Sequence, residues 1–298
     1  MIDQFIDYYS KAKKMQELKF QGGTWTKQDI DDDLVWNIPI YDVVNRRYAA
    51  FSSLLEAIVE KENDPKGNGI YFKELDLNKD SFIFLSYLFR LCGSGINYIP
   101  KQNEPWGTHG FGNFFVIDLL RDSITDPKYW IHGIPDKKFC DVKGYLLPMI
   151  KGGLKNFIEK ESYYFINYLI DYINKGSIKG IKDVVDKGNE WLLSNNYKRQ
   201  NFVLTAFAMD LAEYYPRLVD QDSDVYVGSN ASKCLKMILP NMKKDKALRY
   251  LCDITGGNSK PYDMEDVACD FIRYIENFQS QDHIKYNNGI KYYNNVLK

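Results

Sequence analysis

What this chain lacks narrows its chemistry first. Its 298 residues hold three histidines and five cysteines, and no two cysteines form a Cys-x-x-Cys pair. Cys92, Cys140, Cys234, Cys252 and Cys269 are scattered and odd in number. A metal site or a disulfide framework is therefore not expected, and reduced thiols in a cytosol are. Basic excess is missing too: the formal net charge is −1, without the global field that draws many proteins to nucleic acid. A nucleic-acid role then needs a local basic face. No apolar run is long enough to span a bilayer, and MIDQFIDYYSKAKK at the start alternates charge with aromatics where a signal peptide has an apolar core. A cytoplasmic protein with no membrane partner is expected. No G-K-[ST] phosphate loop is present, and the G-x-G-x-x-G spacing that begins at Gly93 fails at Tyr98.

Aromatics are plentiful, with 23 Tyr and 17 Phe, and charged residues make up 27%. That balance belongs to a folded chain and not to a disordered one. The length admits one large domain or two smaller ones. We read it as a single unit over 1–298, with a helical part over about 1–120 and a second over about 121–298.

Helical periodicity dominates the pattern. Residues 1–20 carry Ile2, Phe5, Ile6, Tyr9 and Met15 on one side, and Gly22 and Gly23 follow. The run from Tyr41 to Val59, which contains Arg46 and Arg47, also has helical spacing, and SFIFLSYLFRL forms another apolar run after Asp80. Further helices are predicted over Leu147–Phe157, Tyr163–Ile173, Ile178–Leu193, Phe202–Tyr215, Ser229–Leu239, Lys246–Ile254 and Met264–Phe278. Short Gly, Asn and Pro punctuations separate them. The fold class is mostly α: a multi-helix architecture with a long Gly/aromatic loop between two helical halves.

That loop runs from Cys92 to Leu120, CGSGINYIPKQNEPWGTHGFGNFFVIDLL. Gly93, Ser94 and Gly95 let a ligand approach the backbone closely. Asn97 and Asn113 offer paired donors and acceptors for a base edge, and Tyr98 and Trp106 offer faces for stacking. His109, between Thr108 and Gly110, suits a hydrogen bond to substrate or phosphate. An extruded nucleobase fits this set; a helix–helix corner filled by aromatics fits it as well.

The second feature is PRLVDQDSDVYVGSNASKCLKMI, from Pro216 to Ile238. Asp220, Asp222 and Asp224 fall at every second position, and Ala231, Cys234, Leu235 and Ile238 then mark one apolar helix face. The spacing puts Ser223 or Asp224 near the start of a buried helix, with Gly228 loosening the backbone. An acid held there, partly desolvated and aimed into a cleft, suits general-base or charge-stabilising work. A solvated turn with a helix cap is the plainer alternative. Asp224 is our catalytic candidate, Asp222 its supporting neighbour and Asp220 solvent-facing. Tyr226 joins the base-holding set.

Basic residues cluster at helix junctions. Lys198 and Arg199 precede one predicted helix, and Lys179 and Lys182 flank another. Such junctions suit phosphate oxygens, as do Ser229 and Asn230 at the start of the helix after Asp224.

Two loop motifs and the aspartate segment together carry a resemblance. FRLCGSGINYIP, HGFGNFFVIDLL and Ser223-Asp224-Val225-Tyr226-Val227 resemble the helix-hairpin-helix DNA glycosylase superfamily. The likeness within it is to the alpha-glutamyl/putrescinyl thymine pyrophosphorylase clade 3 proteins, over about Trp36 to Leu239. It implies base flipping and excision of a bulky modified base, such as glucosylated hydroxymethylcytosine, from phage DNA in anti-phage defence. It also implies Asp224 as the catalytic aspartate of a monofunctional enzyme, with no cofactor and no obligate protein partner. The G-h-G hairpin of that superfamily is not legible; SNNYKRQNF stands there, with Lys198 26 residues before Asp224. A pyrophosphorylase or transferase of thymine hypermodification, or a silent DNA-binding helical module, remain the alternatives.

Overall fold

Two helices, each buried on nearly every side, organise the molecule. The computed structural model describes residues 1–20, 44–46, 83, 86, 87, 90, 157 and 161–275. Among these stand seven helices and no strand: α1 (Ile2–Phe20), α2 (Ser162–Asn174), α3 (Ile181–Ser194), α4 (Asn201–Tyr214), α5 (Ser229–Ile238), α6 (Lys244–Ile254) and α7 (Pro261–Ile275). The mostly α expectation holds for this part of the chain. None of these helices is long and apolar enough to cross a membrane. The chain divides into two compact units, one made of residues 1–53 and 221–298 and the other of residues 54–220.

In the 54–220 unit α4 is the centre, and Val203 to Ala212 are buried without interruption. A helix apolar all round must lie inside other elements. It packs on α3, where Gly188 leaves room: a Cβ there would lie 2.8 Å from Leu204 Cδ1. Around them Tyr87, Phe157, Phe165, Trp191, Tyr197 and Phe207 form one aromatic cluster, with Tyr87 and Phe165 4.8 Å apart and Phe165 edge-on to Trp191 at 5.2 Å. Ile83, Ser86, Tyr87 and Arg90 are helical and buried at the spacing of one face. Arg90 and Asp210 of α4 meet inside through two bonds of 2.5 Å, each side chain only 2% exposed.

In the other unit α7 takes the central place, with Pro261 opening it as proline suits a first helical turn. The expected face of α5 packs on α7, and Ala231, Cys234, Leu235 and Ile238 are buried as a set. From α1, Phe5 meets Phe271 edge-on at 5.2 Å and the Tyr9 hydroxyl bonds the Ser259 hydroxyl at 2.8 Å, 250 residues away. Buried residues on α1 are Phe5, Tyr8, Tyr9, Ala12 and Gln16, while Ile2 and Ile6 sit half-buried.

Several local expectations change. Of the Tyr41–Val59 run only residues 44–46 are described, and there Val44 and Asn45 form a bend before a 3-10 turn at Arg46. The Asn45 N–H goes to Gln16 Oε1 at 2.9 Å and the Arg46 N–H to Asp263 Oδ1 at 2.7 Å. Those bonds give the two N–H groups side-chain acceptors. The helix expected from Ile178 starts at Ile181 because Asp183 Oδ2 accepts the N–H groups of both Lys179 and Gly180 at 2.9 Å. The helix expected from Met264 starts three residues earlier, at Pro261. Of the helix expected over Leu147–Phe157 only Phe157 is described, and the Cys92–Leu120 loop and residues beyond 275 lie outside the described residues.

Candidate functional site

Asp222 and Asp224 come together around a residue that no spacing signal marks. Arg249 of α6 donates from Nη2 to the Asp222 backbone carbonyl at 2.6 Å and to Asp224 Oδ1 at 2.9 Å. Lys260 Nζ bonds Asp222 Oδ1 at 3.2 Å. Beside Asp224, Val225 is buried, and Asp222 is exposed. The Asp224 side chain is 42% exposed and that of Arg249 47%. Among the described residues Asp224 Oδ2 carries no hydrogen bond. The carboxylate is thus held by one oxygen and open at the other.

Asp224 does not begin the helix. Residues 224–228 have no regular structure and α5 starts at Ser229. Gly228 does not loosen the chain. Its N–H donates to Glu265 Oε1 of α7 at 2.8 Å, and a Cβ at this position would lie 3.1 Å from that oxygen. Glycine suits this close approach and is not called for by the backbone angle, since its φ of −63° suits any residue. The Glu265 carboxylate therefore fixes where the helix starts, from 37 residues away. Tyr226 is half-buried two residues from Asp224, Ser229 is exposed and Asn230 half-buried in the first turn of α5.

Asp220 is exposed as expected, and its N–H donates to the Lys179 carbonyl at 2.8 Å. Lys179 is exposed and Lys182 half-buried at the start of α3. Lys198 and Arg199 are exposed in the turn between α3 and α4. That turn has a defined geometry: Asn196 adopts φ +63°, the Asn196 N–H returns to Leu193 O and the Tyr197 N–H to Leu192 O. This is a Schellman ending with asparagine where glycine is usual. The base-holding candidates Gly93, Ser94, Gly95, Asn97, Tyr98, Trp106, His109 and Asn113 lie outside the described residues.

Arg249, Lys260 and Glu265 are the residues that sequence reasoning missed. No spacing signal could have found them, because they lie 25, 38 and 37 residues from their partners on other elements. Among the described residues no group of three His, Cys, Asp or Glu side chains is placed to hold a metal. Burial pushes the Cys234 and Cys252 thiols up to about 12, so neither offers a thiolate at neutral pH. No known family matches this chain, and neither does any curated protein or solved structure.

Proposed function

We infer that this chain is a DNA N-glycosylase that excises a bulky modified base, such as glucosylated hydroxymethylcytosine, from phage DNA and leaves an abasic site. What carries the reading is the Asp224 carboxylate, tethered by Arg249 through Oδ1 and open at Oδ2. As the C1′–N bond lengthens, positive charge grows on the deoxyribose. A carboxylate with one fixed oxygen offers the other to that charge and to the attacking water, and needs little reorganisation to do so. The loop motifs at Phe89–Pro100 and His109–Leu120 support the reading through the superfamily they resemble. In this reading the loop and Tyr226 hold the base, and Lys179, Lys182, Lys198, Arg199, Ser229 and Asn230 hold the backbone.

The test is incubation with unmodified, hydroxymethylated and glucosylated phage DNA, followed by abasic-site detection. Asp224→Asn keeps DNA affinity and loses base release on the order of 100- to 1000-fold, the size expected for one pre-placed charge-stabilising group. Unchanged release in that variant refutes the assignment. A second reading, a silent binding module, draws on the same geometry, because Asp222 and Asp224 pair with Lys260 and Arg249 as ordinary surface ions do. It expects free base from none of the three DNAs.

A further inference from the structure

Charge is nearly balanced over the whole chain and far from balanced around the start of α6. The formal net charge is −1, yet between Lys233 and Arg249 stand six cations and one carboxylate, Asp245. Lys236 lies in the last turn of α5, and Lys243, Lys244 and Lys246 lie at the start of α6. The turn between them is compact, with the Met242 N–H returning to the Leu239 carbonyl at 3.1 Å. All four lysines are exposed, and among the described residues their ammonium groups take part in no hydrogen bond or ion pair.

Helix stability gives no reason for this arrangement. Lys243 stands at the N-cap without a capping bond, and Lys244 and Lys246 occupy the first turn. Cations there oppose the helix dipole, which favours acids at that end. From Lys246 the exposed side of α6 continues through Arg249 and Tyr250, three and four residues on and so neighbours on one face. Arg249 carries that face to the aspartates, since its Nη2 donates to Asp224 Oδ1 at 2.9 Å.

Unpaired cations gathered on one side of a helix fit a polyanion. Lysine meets phosphate as a point charge, whereas recognition of a carboxylate favours the arginine fork, and the arginine of this face is already held by Asp224. A lipid surface fits poorly, because an interfacial helix needs a free apolar face and that of α6, Ala247, Leu248, Leu251 and Cys252, is buried in the protein. We propose that this side of α6 is a docking surface for the sugar–phosphate backbone of duplex DNA, with Lys243, Lys244 and Lys246 as its phosphate contacts. It rests on the DNA reading above and adds where the duplex is held in the unit that carries Asp224.

Fluorescence anisotropy of the full chain with a labelled duplex, across a range of salt, tests this. Lys243→Gln, Lys244→Gln and Lys246→Gln each weaken binding, alike for different base sequences, and lower the salt slope by about one; the triple variant lowers it by about three. Lys175→Gln, whose ammonium is taken by Asp171, leaves affinity and slope unchanged. The removed cations oppose the α6 dipole, so the variants melt no lower than the wild type and weaker binding reports lost contacts. An unchanged slope in the triple variant overturns the proposal, as does a wild type that does not bind the duplex. Binding to phosphatidylserine vesicles that the triple variant loses, while it keeps the duplex, overturns it in favour of a membrane surface. Base release is scored separately. Duplex binding that the triple variant loses, with no free base from any DNA, fails the glycosylase reading and spares the surface; free base from a triple variant of wild-type affinity fails the surface alone.

Discussion

Among the described residues, two Arg–Asp pairs stand at opposite extremes of burial. Arg90 and Asp210 meet with both side chains 2% exposed, while Arg249 and Asp224 meet with 47% and 42% exposed. Inside, the charges have no water to fall back on, and each is tolerable only because the other is present. Outside, water competes for both, so the contact contributes little to stability. What the outer pair does is fix an orientation. A buried pair sets which residues must stay together, and an exposed pair leaves both side chains in contact with water.

The largest way to break this contrast is Asp210→Ala. It strands a buried guanidinium and costs about 3–5 kcal/mol of folding free energy, read by urea denaturation. The next probe is pH. The Cys234 and Cys252 thiols, raised by burial from 9.0 to about 12, are protonated in both states below pH 9. Above it the unfolded chain ionises first, so stability falls as pH rises from 9 toward 12. Denaturation midpoints across that window show the fall, and Cys234→Ala flattens it. Smaller again is Glu265→Ala, which leaves the Gly228 N–H without its carboxylate and costs about 1–2 kcal/mol. A midpoint unchanged by that variant would mean that the helix start is set elsewhere. Smallest in stability is Asp224→Asn, within about 0.5 kcal/mol of the wild type. If it unfolds the chain as Asp210→Ala does, the contrast between the two pairs is wrong.

Much of the helical pattern in the described residues was legible from spacing, because local signals produce it. Gly176, Gly256 and Gly257 take positive φ at the ends of α2 and α6, and Asn196 does the same after α3. These are short-range marks that a sequence displays openly. Asp183 shifted the start of α3 by three residues, a side-chain cap that apolar periodicity does not see. The site was less legible. Asp224 stood out by its neighbours, but Arg249, Lys260 and Glu265 reach their partners through the packing of α5, α6 and α7, which no local pattern encodes. Val225 tells the same story: its burial, and not a helix start, anchors the aspartate beside it.

The unit that holds Asp224 is discontinuous, built from 1–53 and 221–298. Its α1 waits for α7, since Phe5 and Tyr9 find Phe271 and Ser259 only across some 250 residues of chain. On a ribosome that delay is a matter of time. The middle of the chain emerges whole and can close its own contacts first, whereas the aspartate's unit is completed only after the last helices are made. Closing so long a loop is slow entropic work. Refolding experiments that follow Trp191 against the Tyr9–Ser259 contact would time the two events, with the tryptophan signal expected first.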